Sequence, residues 1–510
     1  MLVRRTNKMK GTTMKNVFTS FMIGIILCLI VFQSIASAQE FPIIRDSIYS
    51  EILQEKRFLE IVLPDSFSQK PNEKYEVVYL LDGEWNINIV PFIHRFTEQE
   101  GYLLPAIFVG LPNTYLNGVN QRDRDFLPVN AANKFLDFIK KEVILYIEKK
   151  YPANGERTLF GHSYGGLFVT YAFLADPQLF SAYLASDPAY QGSNGFVLNY
   201  AKERLGKFSG ANKSFWIAGI QTTYTYMRIN EMDSIFRALA PKDLHWQLSL
   251  YPNETHNSVR LKGIYDGLKF FYEGYSNAKI TFHPMNGVAL KNKPFKIYFF
   301  GNLNIRYTID GTEPMATSAK ADSVLILTGP AELKVRSFYV RGANKTVTTG
   351  SFKEGKTLKA IPKPKNVKPG GLNFAYYRGE WDKLPYFTKL TPVNSGRMDA
   401  SFNLDKMPDL NNFGCVMEGY IEIKEEGYYI FTLDSDDGAK LFINYDLVLV
   451  NDGLHAMGNT QTYMIPLQKG FYSVRAEYFQ RGGERGLSVL YVQPGTEQPL
   501  PIPFECLYSK

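Results

Sequence analysis

A chain of 510 residues that is 45% apolar, 15% aromatic and 21% charged is too hydrophobic for a disordered protein. It also exceeds the roughly 250–300 residues that a single domain reaches, so several domains are expected. Outside residues 1–38, which hold five basic residues and no acid, the formal net charge of +7 falls to +2, too little to indicate nucleic-acid binding.

Residues 1–38 have the three-part pattern of a secretory signal peptide. A basic stretch ends at Lys15, residues 17–32 are almost wholly apolar, and the small residues 36–38 precede a cleavage point after Ala38. Sixteen apolar residues are too few for a membrane span, which needs about 20. We therefore expect an exported protein, periplasmic, at the cell surface or secreted, with no membrane association after cleavage.

Residues 39–276 alternate short apolar runs with helical patterns. The helical pattern at 132–149 places apolar side chains four residues apart. The predicted strands are 75–81, 106–110, 158–160, 182–185, 215–218 and 244–251. Because continuous apolar strands alternating with helices indicate a parallel sheet covered on both faces, we predict an α/β domain.

The remaining chain is rich in short β-like runs separated by Gly, Asn and Pro. We predict one β-sandwich at 277–358, a Pro/Lys-rich linker at 359–371, and a second β-sandwich at 372–510. Export would permit a disulfide between the two cysteines outside residues 1–38, Cys415 and Cys506, but spacing alone does not show that they meet.

The segment GHSYGG at 161–166 fits the pattern G-x-S-x-G. It follows the predicted strand 158–160 directly and precedes an apolar helix from Leu167. In this strand–turn–helix setting, a serine is held on a strained turn with its hydroxyl exposed, and the glycines avoid crowding between strand and helix. Ser163 is therefore the candidate nucleophile.

A neutral serine hydroxyl needs a base, and in this arrangement the histidine follows the serine in the chain. His245 lies inside a predicted strand, which favours a structural role. His256 lies in a polar loop directly after that strand, at the edge of the sheet where catalytic loops gather. We predict His256 as the base.

The acid of the triad is less clear. The stretch after strand 215–218 holds no carboxylate before Glu231, which already lies on a predicted helix. Asp187, at the end of strand 182–185, could reach the histidine from the neighbouring strand, and we rank it above Glu231. Glu254 is a third candidate, and a dyad or a backbone carbonyl in the acid's role also remains open.

An oxyanion requires two backbone N–H groups. Tyr164, which follows the nucleophile, supplies one of them. The other is expected from the turn after strand 75–81, where Gly83 allows close approach and Glu84 carries the N–H.

At these motifs the chain resembles the putative-esterase family, which includes enterochelin, feruloyl and esterase D-like hydrolases. The matching segments are VYLLDG at 78–83, RDFLP at 124–128, GHSYGG at 161–166, SDP at 186–188 and ETHNSV at 254–259. The resemblance implies an α/β-hydrolase fold and serine ester hydrolysis, with Ser163 and His256 in their roles. The sequence departs from the family at 219–221, where many members have an acid.

The β-rich segments show two further resemblances. Residues 277–350 are similar to the β-sandwich of chitobiases through IRYTIDGTEP at 305–314. Residues 371–500 are similar to the protective-antigen-type β-sandwich of toxins and adhesins through GYYIF at 427–431 and DSDDGAKL at 434–441. In adhesin members a paired aspartate binds calcium and thereby a sugar. The resemblance thus implies Asp436 and Asp437 as calcium ligands, although a structural turn is the alternative.

These observations lead to a main hypothesis and two alternatives. The main hypothesis is an exported serine esterase that removes feruloyl or acetyl groups from a glycan, with the β-sandwiches aiding carbohydrate contact. The first alternative is a siderophore esterase of the enterochelin type. The second is a glycan-binding protein whose hydrolase domain is degenerate. Catalysis itself is expected to need no cofactor.

Overall fold

The computed structural model describes residues 42–70, 72–114, 118–277, 280–300, 304–398 and 401–510. The predicted signal peptide lies outside these residues. The chain forms two compact units, the first comprising residues up to Gln99 with Leu104–Phe270, the second Glu100–Leu103 with Phe271–Lys510. Within the described ranges, no helix has the length and apolar character needed to cross a membrane.

The first unit is built around an eight-stranded mixed sheet. Its strands are β1 (Ile44–Ser50), β2 (Glu55–Val62), β3 (Tyr75–Leu81), β4 (Ala106–Leu111), β5 (Ala153–His162), β6 (Ala182–Ser186), β7 (Ser214–Ile220) and β8 (His245–Tyr251). The spatial order is β1-β2-β4-β3-β5-β6-β7-β8. Strand β2 pairs antiparallel with both of its neighbours, and every pairing from β4 to β8 is parallel.

Helices connect these strands. They are α1 (Gly83–Asn86), α2 (Val90–Gln99), α3 (Arg122–Phe126), α4 (Ala132–Phe138), α5 (Ile144–Lys150), α6 (Tyr164–Ala175), α7 (Phe196–Arg204), α8 (Ile229–Leu239) and α9 (Val259–Phe271). A π-helical turn, Ile139–Val143, joins α4 to α5. Strands β3, β4, β6 and β7 are buried along their whole length, which explains why their sequences are continuous apolar runs.

The predicted α/β fold is confirmed, and its topology indicates where a site can form. Strand β4 lies next to β3 on one side, and the chain then returns so that β5 lies next to β3 on the other side. In parallel sheets, ligands bind at the carboxyl ends of the strands, where the strand order reverses. The turns after β3, β5, β6 and β8 meet at this edge.

A buried ion network stabilises the approach to this edge. The guanidinium of Arg57 on β2, only 1% exposed, lies 2.8 Å from the Asp125 carboxylate on α3. Asp125 also accepts hydrogen bonds from Arg124 and from the Asn113 amide. Because a buried charge is costly without partners, these contacts explain how a charged motif, RDFLP at 124–128, folds into the interior.

The second unit consists almost entirely of β-strands. They are β9 (Thr281–His283), β10 (Asn286–Leu290), β11 (Pro294–Phe300), β12 (Ile305–Thr308), β13 (Ala319–Lys320), β14 (Val324–Thr328), β15 (Ala331–Tyr339), β16 (Gly342–Gly355), β17 (Lys368–Pro369), β18 (Leu372–Arg378), β19 (Asn394–Met398), β20 (Phe413–Ile423), β21 (Gly427–Ser435), β22 (Ala439–Ile443), β23 (Asp446–Asn451), β24 (Gln461–Leu467), β25 (Gly470–Gln480), β26 (Leu487–Val492), β27 (Leu500–Pro501) and β28 (Leu507–Ser509).

The two segments predicted as separate β-sandwiches share one nine-stranded sheet. Strand β10 of the first segment pairs in parallel with β24 of the second. The segment predicted as a linker also lies against the second segment, since Ile361 forms a β-bridge to Phe471 and β17 pairs with β28. This packing differs from the solvated spacer that the prolines and lysines indicate. The apolar residues at its start find partners on the neighbouring sheet.

The main core of the second segment lies between its two sheets. Inward-facing side chains of β20, β21, β22 and β25 fill it, in the alternating pattern expected of a sandwich. Both Cys415 and Cys506 are buried, and both are free thiols rather than a disulfide. The all-β character predicted for residues 277–510 is thus confirmed, while the domain boundaries themselves stay predictions.

Candidate active site

Ser163 occupies a sharp turn between β5 and α6. Its backbone angles, φ 61° and ψ −118°, lie in a region that residues with a side chain rarely adopt. The Ser163 N–H donates to the Ser186 carbonyl at 2.9 Å, and the Ser163 carbonyl accepts from Leu167 at 3.0 Å. These bonds to β6 and α6 hold the strained turn, which is the geometry expected of a nucleophile at the end of a strand.

The glycines around this serine have unequal roles. A Cβ on Gly161 would overlap the Gly165 carbonyl group, so the close approach of β5 to α6 requires glycine at position 161. A Cβ on Gly165 would meet the Asp82 carboxylate at 3.5 Å, an ordinary contact distance. Crowding therefore explains the first glycine of the motif but not the second.

His256 and Asp187 are in direct contact. The Nδ1 atom of His256 lies 2.6 Å from Oδ2 of Asp187, a carboxylate that is fully buried at the end of β6. The other oxygen, Oδ1, accepts hydrogen bonds from the Thr223 hydroxyl at 2.6 Å and the Ile220 N–H at 3.3 Å. The stretch after β7 thus supplies donors that hold the carboxylate instead of supplying the acid itself.

The other candidates considered from the sequence lie in different surroundings. Glu231 forms a two-pronged ion pair with Arg228, at 2.6 and 2.8 Å. Glu254 bonds to Ser258 and Lys262. His245 stacks on the ring of Phe270, with ring centroids 3.7 Å apart. Of the three candidate acids, Asp187 is the one that the structure places against His256.

Ser163 and His256 line the same cavity, which has a volume of about 570 Å³. The other side chains that line it and matter below are His162, Trp85, Arg122 and Arg260. The nucleophile, the base and a space for substrate therefore lie together at the carboxyl ends of the strands.

His162 contacts both the ring and the backbone of His256. The buried ring of His162 lies 4.4 Å from the His256 ring between centroids, and its Nε2 donates to the His256 carbonyl at 2.6 Å. Burial, with the neighbouring His256 as a second cause, lowers the pKa of His162 to about 3. His162 is therefore neutral at neutral pH, and its one ring proton is on the nitrogen that holds the His256 backbone.

The two residues predicted for the oxyanion hole both begin helices beside the cavity. Tyr164 is the first residue of α6, and Glu84 is the second residue of the short α1. First-turn N–H groups have no intrahelical acceptor, so they are available to a ligand. The Glu84 side chain turns away to accept the Asn113 and Thr114 N–H groups, at 3.2 and 2.6 Å.

Two arginines at the cavity were not singled out from the sequence. Arg122 donates through Nε to the Asp82 carboxylate at 2.9 Å, and its guanidinium also lies over the Trp85 ring. Burial raises the pKa of Asp82 to about 6, although the Arg122 charge opposes the rise. Arg260 directly follows the ETHNSV motif, and Arg122 lies two residues before the RDFLP motif. This closeness to a family motif is the sequence signal that could indicate both arginines.

The calcium prediction for Asp436 and Asp437 finds protein partners at both carboxylates. Asp437 Oδ2 accepts the N–H groups of Arg481 and Gly482, at 2.7 and 3.3 Å, and Asp436 Oδ1 accepts the Gln480 amide at 3.1 Å. In the described part of the chain, no three His, Cys, Asp or Glu side chains cluster as a metal site. These contacts are compatible with the structural turn given as the alternative, and the calcium site stays a prediction.

Comparison with known proteins identifies two parts of the chain. The family model described as putative esterase matches residues 50–246, and the model of the PA14 domain matches residues 388–503. The second match lies within residues 372–510, the segment predicted as the second β-sandwich. The chitobiase resemblance of residues 277–350 stays a prediction.

Individual relatives match part of the chain. The ferri-bacillibactin esterase BesA of Bacillus subtilis is 30% identical over 168 residues, 28% of this chain and 58% of that protein. A siderophore enterobactin esterase of Emericella nidulans is 34% identical over 114 residues, 21% of this chain and 38% of that protein. The chain thus spans less than two thirds of either relative.

Among solved structures, an IroE-like serine hydrolase from Shewanella oneidensis is 30% identical with a TM-score of 0.40, covering 44% of this chain and 79% of that one. Residues 50–246 thus match the putative esterase family, and residues 388–503 match the PA14 domain.

Proposed function

We propose that this protein is an exported serine carboxylic-ester hydrolase with Ser163 as nucleophile, His256 as base and Asp187 as acid. The observation that carries the proposal is the 2.6 Å contact between His256 Nδ1 and the buried Asp187 carboxylate, beside a serine on a strained turn. A strained backbone at the serine and a base paired with a buried acid, both at one cavity, are typical of functional sites.

The mechanism follows from these positions. Asp187 accepts a hydrogen bond from the Nδ1–H of His256, so the ring proton stays on Nδ1 and the lone pair of Nε2 is free. Nε2 takes the hydroxyl proton as Ser163 Oγ attacks the ester carbonyl carbon. The oxyanion forms beside the N–H groups of Tyr164 and Glu84, and His256 returns the proton to the departing alcohol. Water then attacks the acyl-enzyme by the same route and releases the carboxylic acid.

A small-molecule ester of the siderophore class is the substrate that we propose in place of a feruloylated or acetylated glycan. Two of the curated relatives that match part of the chain are named siderophore esterases, and a third is named a ferri-bacillibactin esterase. The guanidinium of Arg260 at the cavity suits a substrate rich in anionic oxygens. An acetylated sugar offers no such group.

A substrate panel tests this choice. We expect the protein to release product from a catecholate siderophore trilactone with kcat/KM at least tenfold above that for a feruloylated oligosaccharide or acetylated xylan, measured by chromatography. 4-Nitrophenyl acetate serves as an unspecific ester. A preference for either glycan substrate would return the proposal to the glycan esterase. Background turnover of every ester, equal in wild type and Ser163→Ala, would leave a degenerate hydrolase domain.

His162 is expected to act as a positioning residue for the base. His162→Leu removes the donor to the His256 carbonyl and should lower kcat about tenfold to a hundredfold, with a much smaller change in KM. His162→Gln keeps an N–H donor near the position of Nε2 and should recover most of the loss. Steady-state kinetics of both variants check this. Equal losses in the leucine and glutamine variants would contradict a role for the hydrogen bond.

A further inference from the structure

The two arginines at the cavity differ in how their charges are balanced. Arg122 is paired with Asp82 at 2.9 Å, and with a pKa of about 6 that carboxylate is mostly ionised at pH 7. Arg260 has neutral partners: its Nε donates to the Asn257 carbonyl at 3.1 Å and its Nη1 to the Asn86 amide oxygen at 3.3 Å. Within the described residues, no carboxylate lies within 4.0 Å of the Arg260 guanidinium.

The position of Arg260 adds to this imbalance. The residue is the second of α9, a helix of 13 residues, and the N-terminal end of a helix already carries partial positive charge. Its side chain is half-buried, and burial lowers the pKa of the guanidinium while leaving it protonated. A half-buried cation at a positive helix end is unfavourable unless an anion completes it.

The cavity itself carries no compensating acid. None of the described side chains that line it is a carboxylate. The Asp82 carboxylate interacts electrostatically with Arg260, but its hydrogen-bonded ion pair is with Arg122. Ser163 and His256 line the same space as Arg260. An anionic group bound by Arg260 therefore belongs to the molecule whose ester faces the serine.

We infer that the guanidinium of Arg260 is a binding site for an anionic oxygen group of the substrate, a carboxylate or a catecholate, and so sets a preference for anionic esters. The inference rests on the proposed function, since it places this site beside the reacting ester. Arg122 has a different part: its charge is neutralised by Asp82, and it lines the wall between the Trp85 and Tyr164 rings.

Pairs of esters that differ only in charge test the site. One pair is 4-(butyryloxy)benzoate and its methyl ester, with the charge on the alcohol part. The other is mono-4-nitrophenyl terephthalate and its methyl ester, with the charge on the acyl part. We expect wild type to favour the anionic member of at least one pair. Arg260→Gln should lower that preference, the ratio of the two kcat/KM values, about tenfold to a hundredfold.

Arg237→Gln is the matched control, because it removes the same charge from an exposed arginine of α8 in the same unit. It should leave the preference as in wild type. The inference is overturned if wild type favours the neutral member of both pairs, or if both variants change the preference equally.

Direct binding separates this inference from the proposed function. Calorimetric titration of 4-hydroxybenzoate and its methyl ester into the full chain needs no turnover. If Arg260 binds anions, wild type binds the carboxylate at least tenfold more tightly than the methyl ester, and Arg260→Gln loses the difference. Such a result without ester hydrolysis would retain the anion site and reject the esterase. If wild type binds both compounds equally and also hydrolyses esters, the esterase is retained and the anion site at Arg260 is rejected.

Discussion

Ser163→Ala is expected to lower kcat for 4-nitrophenyl acetate by about 10⁴-fold or more, to the level left by binding and the oxyanion donors alone. Alanine keeps the Cβ atom, so the strained φ of 61° and the hydrogen bonds of the turn persist. The variant should therefore unfold at the wild-type temperature. Loss of turnover without loss of stability would identify the missing atom, the hydroxyl oxygen, as the cause.

Covalent labelling provides a second measurement of the same prediction. A fluorophosphonate should add one phosphonyl group to wild type, at Ser163, and none to Ser163→Ala, as read by mass spectrometry of the intact chain. Ser234→Ala is the control, since its hydroxyl lies on α8 and donates to the Asn230 carbonyl. If Ser163→Ala is labelled at another serine and keeps full turnover, that other serine is the nucleophile and the assignment of Ser163 is wrong.

Apolar periodicity was sufficient to predict most of the first sheet. Strands β3 and β4 are continuous apolar runs because both of their faces are covered, and the structure confirms them. The hairpin β1–β2 is not predicted, because its apolar residues are interspersed with charged ones. Arg57 is buried there because Asp125, distant in the chain, neutralises it together with Glu55. A pattern rule that treats Arg as exposed cannot anticipate such a partner.

In the candidate site, too, some residues can be predicted from the sequence and others cannot. Ser163 and His256 are predictable because their roles depend on local context, a turn after one strand and a loop after another. The acid is not, since its choice depends on the neighbouring strands: Asp187 N–H bonds to Ala218 of β7, and Thr223 beyond β7 bonds to the carboxylate. Arg260 likewise becomes notable only when its lack of a counter-ion is visible.

Asp187→Asn should lower kcat by about 10³–10⁴-fold, because it fixes the wrong tautomer of His256. In the variant, the Asn oxygen can still accept from Thr223 and Ile220, as Oδ1 does in wild type. The Asn NH₂ group then faces His256 Nδ1 and makes it an acceptor, so the ring proton moves to Nε2. An Nε2 that carries a proton cannot take the proton of the serine.

The comparison with Glu231→Gln decides between the two carboxylates ranked from the sequence. Glu231 is bound to Arg228 on the first turn of α8, and losing that partly exposed ion pair should cost at most about 1 kcal/mol of stability and leave kcat within twofold. Steady-state kinetics and thermal unfolding of both variants provide the test. A large kcat loss in Glu231→Gln with near-normal Asp187→Asn would overturn the assignment. Retention of kcat in both would indicate a dyad, with Asp187 serving only to stabilise the loop before α9.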